Sequence, residues 1–173
     1  MTGGSREAVG RGSRAMTYTV WTENARRREI AAIASRANAG TIAHEINVRF
    51  AQLYEAVRSI VGATTGRNVV IYHEQPSLPH AFVSDRALPI EVGVECHLPG
   101  GDVTGVHPSA TPEGLVATTE HIGPPERLTQ AHLAVRAWCK ANEWVIDGIN
   151  WEVYGNRPHD PEQCRTAVYY LLR

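Results

Sequence analysis

Disulfides and membrane spans find little support in the sequence. Cysteine occurs only at Cys96, Cys139 and Cys164, an odd number at distant positions that suits a reduced protein better than a disulfide framework. No apolar run approaches the roughly 20 residues that cross a bilayer, and the N-terminus lacks the apolar segment of a secretory signal. We therefore expect a cytoplasmic protein without a membrane partner.

Excess charge and metal-binding motifs are also lacking. With 17 basic and 18 acidic residues the formal net charge is -1, so no global positive field draws the chain to nucleic acid. No CxxC, HExxH or phosphate-loop pattern occurs, and no Ser-His-Asp or Cys-His arrangement stands out. The sequence thus predicts neither a metal nor a cofactor. No helix-turn-helix segment fits before residue 17, so we expect no direct nucleic-acid contact.

What is present is enough for one packed domain. The chain has 173 residues, of which 43% are hydrophobic, and a chain of that length can bury a sizeable core. Residues 1–16 are rich in Gly, Ser and Arg, which predicts a disordered tail or an extension. We expect residues 17–173 to form a single domain.

The order of predicted elements repeats within this domain. Each half contains a strand, a helix and two further strands. For the first repeat (17–98), the pattern predicts strands at 17–21, 30–36, 68–73 and 90–96, with a helix from Thr41 to Gly62. For the second repeat (114–173), it predicts strands at 115–121, 149–155 and 165–172, with a helix that starts at 123–126. The segment 98–114 is interpreted as a connecting loop.

The repeat predicts a duplicated α+β fold. Superposing the halves aligns Tyr72 with Tyr154 and Val70 with Glu152. Each half alone is too small for a good core, but one antiparallel sheet carrying both long helices buries much more surface. We therefore expect two β-α-β-β units related by pseudo-two-fold symmetry.

A carboxylate in the middle of an aromatic strand is the most unusual feature. In Ile149-Asn150-Trp151-Glu152-Val153-Tyr154-Gly155, β-branched and aromatic residues flank Glu152. Such a glutamate either lies on a solvated sheet face or lines a pocket that attracts positive charge. Its counterpart in the first half is the apolar Val70, so the two halves share a scaffold without sharing this charge.

Several short motifs resemble the GyrI-like small-molecule-binding domain family. They are NVVIYHE and IEVGVEC in the first half, and HIGPPERL, WEVYG and CRTAVYYLL in the second. The resemblance covers roughly residues 17–173. It implies a duplicated fold with a ligand groove between the halves, as in the effector-binding domains of multidrug-sensing transcription regulators.

The resemblance also implies site residues. Glu152 corresponds to the glutamate that engages cationic aromatic ligands in the family. Tyr72 and either Tyr169 or Tyr170 correspond to the tyrosines that complete the pocket. The final strand has no proline where the family often has one, which leaves the choice between Tyr169 and Tyr170 open.

The pleat of the strands extends this set of candidates. Alternation places Glu152 and Tyr154 on one face and Trp151 on the other, and Glu152 faces the groove if the helices cover the Trp151 face. The same alternation groups Glu95 with Gly93, where the missing side chain would let a ligand approach the backbone. For three candidates a purely structural role stays open as the alternative. Glu152 would then face solvent, Tyr154 would be a core tyrosine, and Trp138 would belong to the buried stripe of the second helix.

Three functions remain open at this point. The first is a stand-alone domain that binds hydrophobic, often cationic aromatic molecules for sequestration or sensing. The second, which the resemblance suggests, is a hydrolase that opens cyclopropane-bearing genotoxic compounds. Glu152 would orient or activate water there, and Tyr169 would donate a proton to the developing anion. The third is a module that binds a protein partner such as DNA gyrase.

Overall fold

Eight strands and two long helices form the part of the chain that the structure, a computed structural model, describes: residues 17–59, 64–74, 85–98, 105–156 and 158–173. Their order is β1 Trp21–Ala25, β2 Glu29–Ala37, α1 Ile42–Arg58, β3 Asn68–His73, β4 Leu88–Glu95, β5 His107–Ala110, β6 Gly114–Ile122, α2 Leu128–Ala141, β7 Ile146–Tyr154 and β8 Arg165–Leu172. The predicted tail at 1–16 and the predicted helix end at Gly62 lie outside the described residues. No helix among those described is long and apolar enough to cross a membrane.

All eight strands belong to one antiparallel sheet in the order β1-β6-β8-β7-β3-β4-β2-β5. The two central strands pair with Val70 opposite Glu152 and Tyr72 opposite Asn150. A two-fold axis through the first of these pairs exchanges Val70 with Glu152 and Tyr72 with Tyr154. The predicted α+β class and the predicted superposition of the halves are therefore confirmed.

The outer strands are exchanged between the halves. β1 lies at the first half's start but pairs with β6 of the second half, whereas β5 pairs with β2 of the first half. The segment 98–114, predicted to be a loop, contains β5, which the pattern did not predict because Pro108 lies in this short strand. Proline is tolerated there because β5 is at the sheet edge. The first strand was predicted at 17–21 but begins only at Trp21.

Both helices pack on the same face of the sheet. On α1, Leu53 and Val57 are buried against Ala31 and Val94 of the first half. On α2, the stripe of Leu128, Ala131, Val135 and Cys139 is buried against Ala117 and Tyr170 of the second half. The apolar side chains recur at steps of three and four residues, which gives each helix one continuous buried stripe.

The helix-covered face is the one that carries Glu152. Tyr154 packs edge-on against Phe50 of α1, with ring centroids 6.2 Å apart, and Glu152 contacts His132 of α2. Trp151 and Val153 lie on the opposite face, in a cluster that includes Ile30 of β2 and Val116 of β6. The premise that the helices cover the Trp151 face was thus wrong. The groove lies beneath and between the helices.

Candidate functional site

A groove of about 950 Å³ lies between α1 and the start of α2, above the central strands. Ile46, Phe50 and Tyr54 of α1 form one wall, and the other is formed just before and at the start of α2 by Pro125, Glu126, Leu128 and Thr129. Tyr72, Glu152 and Tyr154 form the floor, where the two halves of the sheet meet. The groove therefore has aromatic and aliphatic walls and a carboxylate beneath it.

Glu152 is buried, with 1% of its surface exposed, and both of its carboxylate oxygens have partners. Oε2 accepts hydrogen bonds from the Tyr72 hydroxyl at 3.0 Å and from the Tyr154 hydroxyl. Oε1 lies 2.8 Å from Nε2 of His132. Three polar groups thus converge on one buried carboxylate, as buried polar groups require.

His132 connects this carboxylate to the core of the second half. The ring is fully buried, and its Nδ1 lies 2.8 Å from the Tyr170 hydroxyl. A neutral imidazole donates from Nε2 to Glu152 and accepts at Nδ1 from Tyr170, whereas an imidazolium donates on both sides. Either form fixes the ring, and with it the orientation of the carboxylate.

A second buried carboxylate lies beyond Tyr170. The guanidinium of Arg136 is 5.9 Å from the Tyr170 ring centroid, and its Nη1 donates to Glu74 at 3.2 Å. Glu152, His132, Tyr170, Arg136 and Glu74 thus form a chain of polar contacts along α2. The chain runs from the groove toward the end of β3.

The tyrosine hydroxyls of this network stay protonated near neutral pH. Burial raises the pKa of Tyr72 well above its usual value, and the negative charge of Glu152 raises it further. Burial is also the main cause that raises the pKa of Tyr170, with the charge of Glu74 adding to it. Tyr72 therefore remains a hydrogen-bond donor to Glu152 throughout the physiological pH range.

Two arginines at the end of the groove are held by carboxylates outside it. Arg67 binds Glu95 at 2.9 Å, and Arg165 binds Glu120 at 2.8 Å. Both residues line the groove, but their charges are locally offset. Glu152 is buried, whereas the two arginine side chains are 40% and 62% exposed.

Three of the predicted site residues come together around a fourth, Glu152. Tyr72 and Tyr154 bind the carboxylate directly, and Tyr170 reaches it through His132. Of the two tyrosines between which the sequence did not decide, Tyr170 is on the helix-covered face. Strand alternation then places Tyr169 on the other face.

Tyr169 is stacked on Trp151, with ring centroids 5.1 Å apart and an interplanar angle of 13°. The structure therefore does not bring together the predicted catalytic pair, Glu152 and Tyr169, since the sheet separates the two side chains. The tyrosine hydroxyls that bind Glu152 are instead those of Tyr72 and Tyr154.

The remaining predicted residues lie elsewhere. Glu95 is engaged by Arg67, and Arg28 lies 3.6 Å from it. At Gly93 the missing side chain makes room for Ile30 and not for a ligand, because a Cβ atom there would be 2.9 Å from Cδ1 of Ile30. Trp138 is half-buried against the second-half core and does not line the groove.

His132 is the main site residue that sequence reasoning missed. It is four residues after Leu128 and three before Val135, so it falls on the buried stripe of α2. A polar residue on an otherwise apolar stripe was the available signal. Its partner Glu152 is 20 residues further along the chain, and nothing in the spacing predicts that contact.

No protein-family model matches the sequence, and no curated protein matches it. Similarity appears instead among solved structures. The EcmrR C-terminal domain superposes with a TM-score of 0.73 at 13% identity, over 91% of this chain and 99% of that domain. In the EcmrR–DNA complex the match covers 57% of the EcmrR chain, so this chain spans little more than half of that protein.

Two further structures share the fold. SAV2435, solved with bound tetraphenylphosphonium, gives a TM-score of 0.63 at 11% identity, over 91% of this chain and 94% of that one. A hydrolase from Listeria innocua gives a TM-score of 0.54 at 11% identity, over 89% of this chain and 91% of that one. At these identities the likeness establishes the architecture.

Proposed function

We propose that this chain is a GyrI-like domain whose groove binds hydrophobic, cationic aromatic molecules, for sequestration or sensing. The shared fold supports this assignment, as do the motifs around Tyr72 and Glu152. SAV2435, which has the same architecture, was solved with an aromatic cation.

The observation that carries the proposal is the buried Glu152 under an aromatic groove. An aromatic cation in the groove meets the rings of Phe50 and Tyr154, which supply contact area and cation–π attraction of roughly 0.5–2 kcal/mol. The carboxylate beneath them adds an attraction that solvent screens weakly because the group is buried. The same charge penalises an anion of equal size.

The ligand does not need to displace the partners of Glu152. Tyr154 is only half-buried and lies between the carboxylate and the groove. Its hydroxyl donates to Glu152, so its oxygen is electron-rich toward the groove. His132 acts as a positioning residue, because it holds the other carboxylate oxygen and is itself held by Tyr170.

The test is a calorimetric titration with tetraphenylphosphonium. Glu152→Gln keeps the shape of the side chain and removes its charge, so we expect binding at least about tenfold weaker, which corresponds to ~1.4 kcal/mol. The matched control is Glu91→Gln, a partly buried carboxylate of β4 on the opposite face of the sheet. Its affinity for the cation should equal that of the wild type.

Circular dichroism confirms that both variants are folded before the titration. Unchanged affinity in a folded Glu152→Gln variant would remove Glu152 from the site. Equal losses in Glu152→Gln and Glu91→Gln would show a general effect of charge and would also contradict the assignment.

A hydrolase is the second candidate, and one contact favours it. The Tyr154 hydroxyl at the groove is hydrogen-bonded to Glu152, which His132 supports from behind. Such a pair suits general acid–base chemistry on a strained electrophile. Glu152 would orient the attacking water, and Tyr154, in place of Tyr169, would donate to the leaving atom. If the protein is a hydrolase, product must accumulate beyond one equivalent per protein. A single stoichiometric conversion would exclude turnover.

A further inference from the structure

A second, smaller cavity of about 210 Å³ opens on the other face of the sheet. Trp151, Val153 and Tyr169 line it from the central strands, and residues 23–26 and Arg28 line it from the ends of β1 and β2. The sheet separates its floor from that of the groove described above, since Trp151 and Glu152 are consecutive residues of β7, and Arg67 is the residue that lines both cavities. A ligand in one cavity therefore does not touch the floor of the other.

The inner part of the second cavity is apolar and rigid. Trp151 and Val153 are only 2% and 5% exposed, and the Trp151 ring is stacked with Tyr169. The outer part is polar. The Tyr169 hydroxyl has no hydrogen-bond partner among the described residues, although the side chain is half-buried. The cavity can thus hold a ligand that has both an apolar body and a hydrogen-bond acceptor.

Three arginines are among the residues that line the second cavity: Arg26, Arg28 and Arg67. Arg67 is committed to Glu95 at 2.9 Å, and Arg28 is 3.6 Å from the same carboxylate. Arg26 makes no ion pair or side-chain hydrogen bond within the described part of the chain. The cavity therefore offers positive charge that the protein itself does not neutralise.

Two carboxylates are near the mouth of this cavity, and one of them, Glu23, lines the cavity itself. Glu95 binds Arg67, as described above, and Glu23 accepts a hydrogen bond from the Trp21 indole at 2.9 Å. Three guanidinium groups face two carboxylates, so the local balance favours an anion. This preference is opposite in sign to that of the groove over Glu152.

We propose that the second cavity binds a small organic carboxylate with a single aromatic ring. The ring lies against Trp151 and Val153, and the carboxylate meets the guanidinium groups of Arg26 and Arg28. The Tyr169 hydroxyl donates to the same carboxylate. Arginine recognises a planar carboxylate through paired N–H donors, which a point cation does not provide.

The size of the cavity sets the class of ligand. Sites for drug-sized molecules measure roughly 300–1,000 Å³, so about 210 Å³ holds one ring and excludes the multi-ring cations proposed for the larger groove. An inorganic anion would leave the apolar inner part empty, whereas an arylcarboxylate fills both parts.

The experiment is a titration of the full chain with benzoate, followed by NMR of the indole N–H signals of the four tryptophans. We expect a saturable shift of the Trp151 signal, assigned with Trp151→Phe. Arg26→Gln should weaken binding at least about fivefold, because it removes a charged guanidinium, and Tyr169→Phe about threefold, because it removes one hydroxyl donor. Neutral benzamide should leave the Trp151 signal in place.

Arg27→Gln is the matched control, because Arg27 neighbours Arg26 but lies outside the cavity and faces Glu29 at 3.9 Å. It should bind benzoate like the wild type, and so should Glu152→Gln. The proposal is overturned if benzoate gives no saturable Trp151 shift in the millimolar range. It is equally overturned if benzamide shifts Trp151 as benzoate does, or if Arg26→Gln and Arg27→Gln weaken binding alike.

Discussion

At the scale of single residues, Glu91 and Glu152 show how partners decide what a carboxylate in this sheet does. Glu91 lies on the face opposite the helices, where His73 contacts it at 2.7 Å and Ser109 donates to it. These contacts exceed the opposing effect of burial and lower the pKa of Glu91 to about 2. The ionised form of this residue therefore stabilises the folded state.

The sign of this effect predicts a pH dependence. Because the folded-state pKa is depressed, the contribution of Glu91 is fully present above the unfolded value near 4.5 and is lost as pH falls through about 2. Glu91→Gln should lower the free energy of unfolding at pH 7 by on the order of 1–2 kcal/mol, after allowance for solvent screening. Its urea stability should also fall less steeply than that of the wild type between pH 5 and pH 3. Parallel curves would show that Glu91 makes no such contribution.

Three residues of the site network follow from the sequence pattern. Alternation along a strand places Glu152 and Tyr154 on one face, and the internal repeat identifies Tyr72, so the sequence is enough for these three. The choice between Tyr169 and Tyr170 depends on the pairing of β7 with β8, which a lone strand does not specify. His132 depends on how α2 crosses the sheet, and this crossing is set by packing of the whole domain.

At the scale of elements, the helices are held by their buried stripes. Leu53 of α1 is fully buried, whereas Leu133 of α2 is 48% exposed. Leu53→Ala should lower the free energy of unfolding by about 2–5 kcal/mol, because it leaves a cavity in a packed core. Leu133→Ala, the same change on the other helix, should cost less than about 0.5 kcal/mol. Urea denaturation measures both, and similar costs at the two positions would contradict the packing described.

The helices and central strands were predictable because burial on one face gives their sequences a periodic pattern, which the edge strands of the sheet lack. The periodicity of α1, β3 and β8 reflects burial on a defined face, so their positions follow from the pattern. β5 is four residues long and half-exposed, with Pro108 inside it. Such an edge strand carries almost no periodic signal, and its pairing with β2 is a property of the assembled sheet.

At the scale of the whole molecule, the exchange of β1 and β5 ties the two halves together. Each half completes the outer edge of the other, and β3 pairs with β7 at the centre. We therefore expect one cooperative unfolding transition. Tryptophan fluorescence and far-UV circular dichroism should give coincident urea curves. Two separated transitions would mean that the halves are independent folding units.

The pseudo-symmetry also explains why the floor of the groove, formed by Tyr72, Glu152 and Tyr154, carries a single carboxylate. The axis that exchanges Tyr72 with Tyr154 brings both hydroxyls to the same carboxylate oxygen. In the first half, the position equivalent to Glu152 is occupied by the apolar Val70. A symmetric scaffold thus supplies two donors for a single asymmetric charge, which is the central claim of the proposed function.

The most direct measurement of that claim compares two ligands of equal shape and opposite charge. Tetraphenylphosphonium and tetraphenylborate should be titrated into the wild-type protein and into Glu152→Gln. We expect the wild type to prefer the cation by at least about tenfold, or ~1.4 kcal/mol, and the variant to lose this preference. Equal binding of both ions by the wild type, or a preference that survives in the variant, would contradict the account.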